Sequence, residues 1–90
     1  MKYHVGYDLR APGRDYSTLI KRLGEWGAVR VLKSEWIIDY ADTSAAAIRD
    51  DLRKHLDAND RLLVVTMTGE AAWTTLEGNS ADFLLGKRAA

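Results

Sequence analysis

The chain has 90 residues, of which 47% are hydrophobic and 29% are charged. This balance is typical of a folded domain and excludes an intrinsically disordered chain, and no apolar run approaches the roughly 20 residues that a membrane span needs. The chain has no cysteine, which excludes disulfides and thiolate metal sites. Its 13 basic and 13 acidic residues give a net charge of zero. Proteins that bind nucleic acid without sequence specificity are usually strongly basic, so the neutral charge argues against that class.

The first predicted element is a strand at residues 3–9, where apolar and polar side chains alternate with a period of two. One face of this strand carries Tyr3, Val5, Tyr7 and Leu9, and the other carries His4, Gly6 and Asp8. A basic loop at 10–14 leads to a first helix, which we expect Asp15 to cap. Gly24 and Gly27 mark the end of that helix.

A β-hairpin is predicted at residues 28–40, which are rich in Val, Ile and Trp and contain one polar cluster at 33–35. A second helix is expected to start at Asp42 or Thr43. Its apolar residues step by four along the chain, as Ile48, Leu52 and Leu56. This spacing predicts one buried and one exposed helix face.

The last predicted elements are a turn at 57–60 and a buried strand at 62–67. The extension at 68–90 has little pattern, although Ser80 is a candidate cap for a short final helix. The predicted order is therefore β-α-β-β-α-β, which is the α+β ferredoxin-like sandwich with an antiparallel sheet and both helices on one face. We expect this domain at residues 1–67 and the extension to pack on it or on a dimer partner.

We expect the first and third strands to be the central pair of the sheet and to run parallel. In that arrangement Asp8 lies beside Asp39, Tyr40 and Arg61, and both helix N-termini open at the same edge. Lys33, in the hairpin turn, is then expected at the opposite end of the sheet.

Asp8 is the main candidate for chemistry, because aspartate has poor strand propensity and its place at a strand end needs a reason. If two copies of the chain met near this face, the two Asp8 carboxylates would repel each other unless a divalent cation lay between them. A Mg²⁺ ion there would activate water and neutralise a scissile phosphate. The alternative is that Asp8 only pairs with Arg10, Arg14 or Arg61.

Other polar residues give weaker signals. Arg10 and Arg14 flank the turn before the first helix, where exposed amides favour anions, so the loop is a candidate phosphate site or only a solvated loop. His4 is interpreted as a surface or interface histidine, because the two histidines of the chain do not have metal-ligand spacing. Ser17 and Ser34 have no adjacent base in the sequence, so nucleophilic catalysis is unsupported.

Three stretches carry a resemblance to a known family: the end of the first strand at 7–9 with the basic loop that follows it, the hairpin residues 32–36 and the turn at 57–60. With them the chain resembles, over about residues 2–67, the CRISPR-associated Cas-two family and its VapD-type toxin relatives. Small bacterial and phage proteins described as Cas-two-like are similar to it in residues 7–10, 34–38, 48–52, 57–63 and 68–73. Members are ferredoxin-like homodimers, described either as metal-dependent nucleases or as a non-catalytic dimer that holds DNA. The resemblance implies that Asp8 is the catalytic residue and metal ligand, and that Arg10, Arg14 and Ser34 contact nucleic acid.

Two functions remain open from the sequence. The first is a cytosolic, homodimeric nucleic-acid-binding protein with Mg²⁺-dependent endonuclease activity on RNA or DNA. The second, which the neutral charge favours, is a non-catalytic protein-interaction module, such as a regulator or inhibitor carried by a mobile element. Because Trp26, Trp36 and Trp73 cannot all be central in so small a core, we expect at least one under the extension or at a subunit interface.

Overall fold

The computed structural model describes residues 1–11, 13–68 and 70–76. Its elements in chain order are β1 (Lys2–Asp8), α1 (Ser17–Glu25), β2 (Val29–Leu32), β3 (Glu35–Asp39), α2 (Ala45–Arg53) and β4 (Arg61–Thr66). The strands form one antiparallel sheet in the order β2-β3-β1-β4, so the predicted ferredoxin-like fold is confirmed. Among the described residues, no helix is long and apolar enough to cross a membrane. The cap expected at Ser80 lies outside the described residues.

The core lies between one face of the sheet and the two helices. Tyr3 and Val5 point into it from β1 and are 3% and 0% exposed, as their two-residue alternation predicts. The buried cluster consists of Tyr3, Val5, Leu19, Leu23, Trp36, Ile38, Ile48 and Leu52. Tyr7, on the same face, packs against this cluster. The alternating residues Lys2, His4, Gly6 and Asp8 lie on the opposite face, which we call the open face.

Both helices begin with a local hydrogen bond to a backbone amide. The Asp15 carboxylate accepts from the Ser17 N–H at 2.8 Å, and this bond lowers the pKa of Asp15. At the second helix the Ser44 hydroxyl accepts from the Ala47 N–H at 3.1 Å. The expected start at Asp42 or Thr43 precedes the cap Ser44 by two residues or one, and Asp42 adopts a left-handed turn conformation with φ of 58°.

The predicted direction of β3 was wrong. β1 and β3 run antiparallel, with Lys2 opposite Asp39 and Gly6 opposite Glu35. The physical reason is that the α1 crossover makes β2 parallel to β1, and the tight hairpin then reverses the chain into β3. Asp39 therefore lies at the opposite end of the sheet from Asp8.

This reversal changes which loops are neighbours. Tyr40 lies near the start of β1, where its N–H donates to the Met1 carbonyl, and not near Asp8. Lys33 lies in the hairpin turn, which is at the same end of the sheet as Asp8. The N-termini of the two helices lie at opposite ends of the sheet, and not at the same end as expected. The reason is that α1 follows the end of β1 whereas α2 follows the end of β3, which runs antiparallel to β1.

Candidate functional site

Three chain segments meet at one end of the sheet, which we call the hairpin end. There β1 ends, the β2–β3 hairpin turns and β4 begins, with Asp8 directly opposite Arg61. A shallow depression of about 360 Å³ lies on this end of the open face. It is lined by His4, Gly6, Tyr7, Asp8, Ser34, Glu35, Arg61, Leu62 and Leu63. The fold thus brings together Asp8 and Ser34, two of the predicted site residues.

The Asp8 carboxylate accepts a hydrogen bond from Arg10 Nε at 2.9 Å. The two side chains are 58% and 45% exposed. Of the pairing partners that the sequence left open, the structure therefore selects Arg10. An exposed ion pair of this kind contributes little to stability, so a phosphate or a cation can replace either partner at low cost.

Ser34 and Lys33 form the turn of the hairpin beside this pair. The Ser34 carbonyl accepts from the Tyr7 N–H at 3.1 Å, which ties the turn to β1 next to Asp8. The Lys33 carbonyl accepts from Arg30 Nε at 2.9 Å. Both turn residues are thus fixed through their backbones at the hairpin end.

Arg14, the second arginine of the predicted phosphate site, is directed toward a neighbouring loop. Its guanidinium lies 3.8 Å from the Asp57 carboxylate and 5.7 Å from the centre of the Tyr16 ring. It does not line the depression that Asp8 and Ser34 share. The structure therefore separates Arg14 from the other candidate residues.

Asp60 is a residue whose role the sequence did not reveal, beyond its place in a predicted turn. Its carboxylate accepts from the Arg10 N–H at 2.6 Å, the Tyr16 hydroxyl at 2.7 Å and the Asp57 N–H at 2.8 Å. Desolvation opposes ionisation of Asp60, but these donors outweigh it and lower the pKa of the carboxyl. Asp60 thus fixes the loop that carries Arg10 against the start of β4.

A histidine and a glutamate also meet on the open face, which the sequence did not predict. His4 Nε2 lies 2.7 Å from Glu35 Oε1, across the β1–β3 pair. Gly6 leaves room for the imidazole, because a Cβ at that position would lie 3.1 Å from His4 Cε1. The sequence indicated only that His4 and Gly6 share one face of β1. The strand register that brings Glu35 to the same place depends on long-range pairing of β1 with β3.

The open face also exposes apolar side chains along β4. Leu63 and Val65 are 59% and 41% exposed and stand opposite Gly6 and His4 of β1. Exposed apolar residues in a row are typical of an interaction surface.

The three tryptophans differ in their surroundings. Trp36 lies in the core and donates from Nε1 to the Tyr7 hydroxyl at 2.9 Å, whereas Trp26 is half-buried below the guanidinium of Arg22. Trp73 is 38% exposed, in the segment after β4. That at least one tryptophan packs under the extension or at a subunit interface stays a prediction.

A second groove, of about 240 Å³, lies next to α1 and α2. Arg22 and Asp51 both line it, and they bond to each other through two hydrogen bonds of 2.9 and 2.8 Å. The pKa of Asp51 is held below its usual value, chiefly by these bonds from Arg22. Two of the three charged residues that line this groove are thus used to join the helices, which makes the hairpin end the better candidate site.

Among the described residues, no group of three or more His, Asp or Glu side chains is placed to hold a metal ion. A divalent cation at Asp8 would therefore need oxygen ligands from a substrate or from water.

Comparison with protein-family models, with curated proteins and with solved structures finds no match to this chain. What the hairpin end offers chemically is an exposed carboxylate, two guanidinium groups and a hydroxyl, which are groups that bind phosphates or their counterions.

Proposed function

We propose that the protein is a homodimer that binds nucleic acid at the hairpin end of its sheet and hydrolyses phosphodiesters with Mg²⁺. The observation that carries this proposal is the placement of Asp8, Ser34 and Arg61 around one depression. Arg10 is bonded to Asp8 at its rim. A cytosolic location stays a prediction, and RNA and DNA are both candidate substrates.

Asp8 is the residue that would hold the ion. Mg²⁺ is commonly bound by one or two carboxylates, with the remaining positions filled by waters and substrate phosphates, and the exposed carboxylate of Asp8 fits that role. When bound, the ion supplies charge neutralisation at the phosphate and an activated water. Arg10 and Arg61 are then the phosphate-binding cations, and Ser34 contributes a hydrogen bond.

Substitution of Asp8 tests the catalytic part. Cleavage of single-stranded RNA and DNA is measured with Mg²⁺ and with chelator, for the wild type and for Asp8→Asn. We expect the substitution to lower the rate at least about 100-fold, because the amide is a poor ligand for a hard cation. Asp39→Asn is the matched control, since Asp39 is also exposed but lies at the other end of the sheet. Equal rates for Asp8→Asn and the wild type would contradict the catalytic role.

Salt dependence tests the binding part independently of cleavage. The affinity for a short oligonucleotide is measured at several salt concentrations, for the wild type and for Arg61→Gln. Loss of one phosphate contact is expected to reduce the slope of log affinity against log salt by about 1. Arg53→Gln, an exposed cation on α2, is expected to leave the slope unchanged. A flat response in the wild type would argue against phosphate contacts.

A second candidate function is a non-catalytic protein-interaction module. Two observations favour it: Arg10 and Arg14 already face carboxylates within the chain, and β4 exposes Leu63 and Val65. A regulator or inhibitor carried by a mobile element would be of this kind. Absence of oligonucleotide binding at low salt would select this function over the first.

A further inference from the structure

The outer edge of β4 pairs with no other strand among the described residues. β4 is an outer strand of the sheet, has six residues, contains no glycine or proline, and carries its one charge at Arg61. Proteins usually protect such edges with short strands, bulges, charges or a covering segment. The other edge strand, β2, has only four residues, has an irregular register between Arg30 and Leu32, and lines a cleft with Thr75.

The backbone of β4 shows which groups face outward. The Met67 N–H donates to the Lys2 carbonyl at 2.9 Å. Because backbone groups alternate in direction along a strand, the N–H and C=O groups of residues 61, 63 and 65 face β1. Those of Leu62, Val64 and Thr66 face away from the sheet, and none of them bonds to another backbone group among the described residues.

The side chains of β4 are apolar on both faces. Leu63 and Val65 are exposed on the open face, whereas Leu62 and Val64 are only partly buried against the core. A strand placed along this edge would therefore receive backbone hydrogen bonds and bury apolar surface on both faces at once.

We propose that the homodimer forms by antiparallel pairing of β4 with β4 of a second copy, about a two-fold axis at Val64. This register opposes Leu62 to Thr66 of the partner subunit and makes roughly six backbone hydrogen bonds, two for each directly opposed pair. It also opposes Leu63 to the partner's Val65 on the open face. This inference names the surface of the proposed homodimer, and it does not depend on nucleic-acid binding.

The position of Arg61, the one charged residue of β4, favours this register over others. The two Arg61 side chains lie at opposite ends of the paired strands, so like charges do not meet. An axis at Leu62 would instead bring the two arginines close together and leave fewer backbone groups paired. The six residues of β4 are thus most complementary to themselves when Val64 is central.

This pairing separates the two candidate sites. Asp8 lies beside Arg61, three residues or about 10 Å along the strand from the two-fold axis. The two Asp8 residues are therefore on the order of 20 Å apart, on opposite sides of the axis. Each protomer then has its own site at its hairpin end, and the two Asp8 carboxylates do not share one ion.

Cysteine cross-linking tests the register, and the chain is suited to it because it contains no cysteine. A mixture of Leu63→Cys and Val65→Cys is expected to form a disulfide-linked heterodimer under mild oxidation, since these positions face each other directly. Each variant alone is expected to cross-link poorly, because like positions are diagonal and about 7 to 8 Å apart. Leu32→Cys, on the other edge strand, is the control. Equal cross-linking of Leu63→Cys alone and of the mixture would overturn the register.

The oligomeric state tests the surface. The wild type is expected to sediment as a dimer, and Leu63→Lys to raise its dissociation constant at least about 100-fold, because the substitution occurs twice in a symmetric interface. Leu32→Lys is a matched control, since Leu32 is 51% exposed on β2. Both variants replace exposed residues, and circular dichroism checks that they fold.

The outcomes separate this inference from the proposed function. A monomeric wild type at about 100 μM would overturn both the homodimer and its surface. A dimer that survives Leu63→Lys would overturn the β4 surface and leave the proposed homodimer in place. Loss of the dimer in Leu63→Lys but not in Leu32→Lys supports the surface, and the nucleic-acid measurements remain a separate test.

Discussion

Asp60 illustrates how much a single side chain contributes to the geometry of the candidate site. Its carboxylate joins the backbone of Arg10 to the turn that precedes β4, and it also accepts from the Tyr16 hydroxyl. An aspartate in a turn is ordinarily assigned to local bonds with its own neighbours. The bonds to Arg10 and Tyr16 instead span 50 and 44 residues of the chain, so Asp60 holds two distant loops together.

Replacement of Asp60 by alanine is therefore expected to loosen the loop that carries Arg10. The Arg10 amide and the Tyr16 hydroxyl would lose their acceptor, and we expect the melting temperature to fall by about 5 °C or more. Thermal unfolding and amide exchange at Arg10 measure the effect. Asp50→Ala is the control, because among the described residues Asp50 bonds only to exposed arginines on its own helix. An unchanged exchange rate at Arg10 would contradict this role of Asp60.

The helices are joined by a contact between their polar sides as well as by the core. Arg22 on α1 donates through Nε and Nη2 to both carboxylate oxygens of Asp51 on α2. The guanidinium also lies 4.7 Å from the Trp26 ring, which restricts its orientation. Because both charged side chains are about one-third exposed or less, the ion pair is expected to contribute about 1 kcal/mol to the free energy of unfolding at neutral pH.

The lowered pKa of Asp51 gives this contact a pH dependence with a defined sign. The stabilisation is complete above the pKa that Asp51 has in the unfolded chain, about 4, and is lost as the pH falls through its lower pKa in the folded protein. Asp51→Asn is expected to lose about 1 kcal/mol at pH 7 and to approach the wild type in acid. Urea unfolding between about pH 2 and pH 7 measures the difference.

Asp50→Asn is the matched control for this experiment, since Asp50 is the preceding residue and is 53% exposed. It is expected to keep the acid dependence of the wild type. If Asp51→Asn unfolds with the same dependence on pH as the wild type, the contribution assigned to Asp51 is wrong.

At the level of the whole molecule, the direction of β3 decides where a function can be located. With β3 antiparallel to β1, the hairpin turn joins the start of β4 at the end of β1, so Ser34 becomes a neighbour of Asp8 beside Arg61. The same topology leaves β4 at an edge with Leu63 and Val65 exposed. The candidate site and the proposed dimer surface are thus both consequences of the strand order.

The order of the elements was predictable from the sequence, and so was the facing of the side chains in β1 and α2. The strand expected to be buried at 62–67 is instead an edge strand with Leu63 and Val65 exposed. The alternation of β1 identified Tyr3 and Val5 as core residues, and the helical spacing identified Ile48 and Leu52. These patterns are local, because each depends only on residues a few positions apart in the same helix or strand. For that reason they could be recognised without knowledge of the other elements.

The long-range partners of the polar side chains were decided only by the three-dimensional fold. Arg10, two residues from Asp8, was one of the partners that the sequence offered for it. The bond of Asp60 to Arg10 and the contact of His4 with Glu35 instead depend on how distant segments and strands meet. Register is set by the packing of the whole sheet, and a slip of one residue would move each side chain to the other face. Local periodicity determines which face a residue occupies, whereas the residues that it meets on that face depend on contacts between distant parts of the chain.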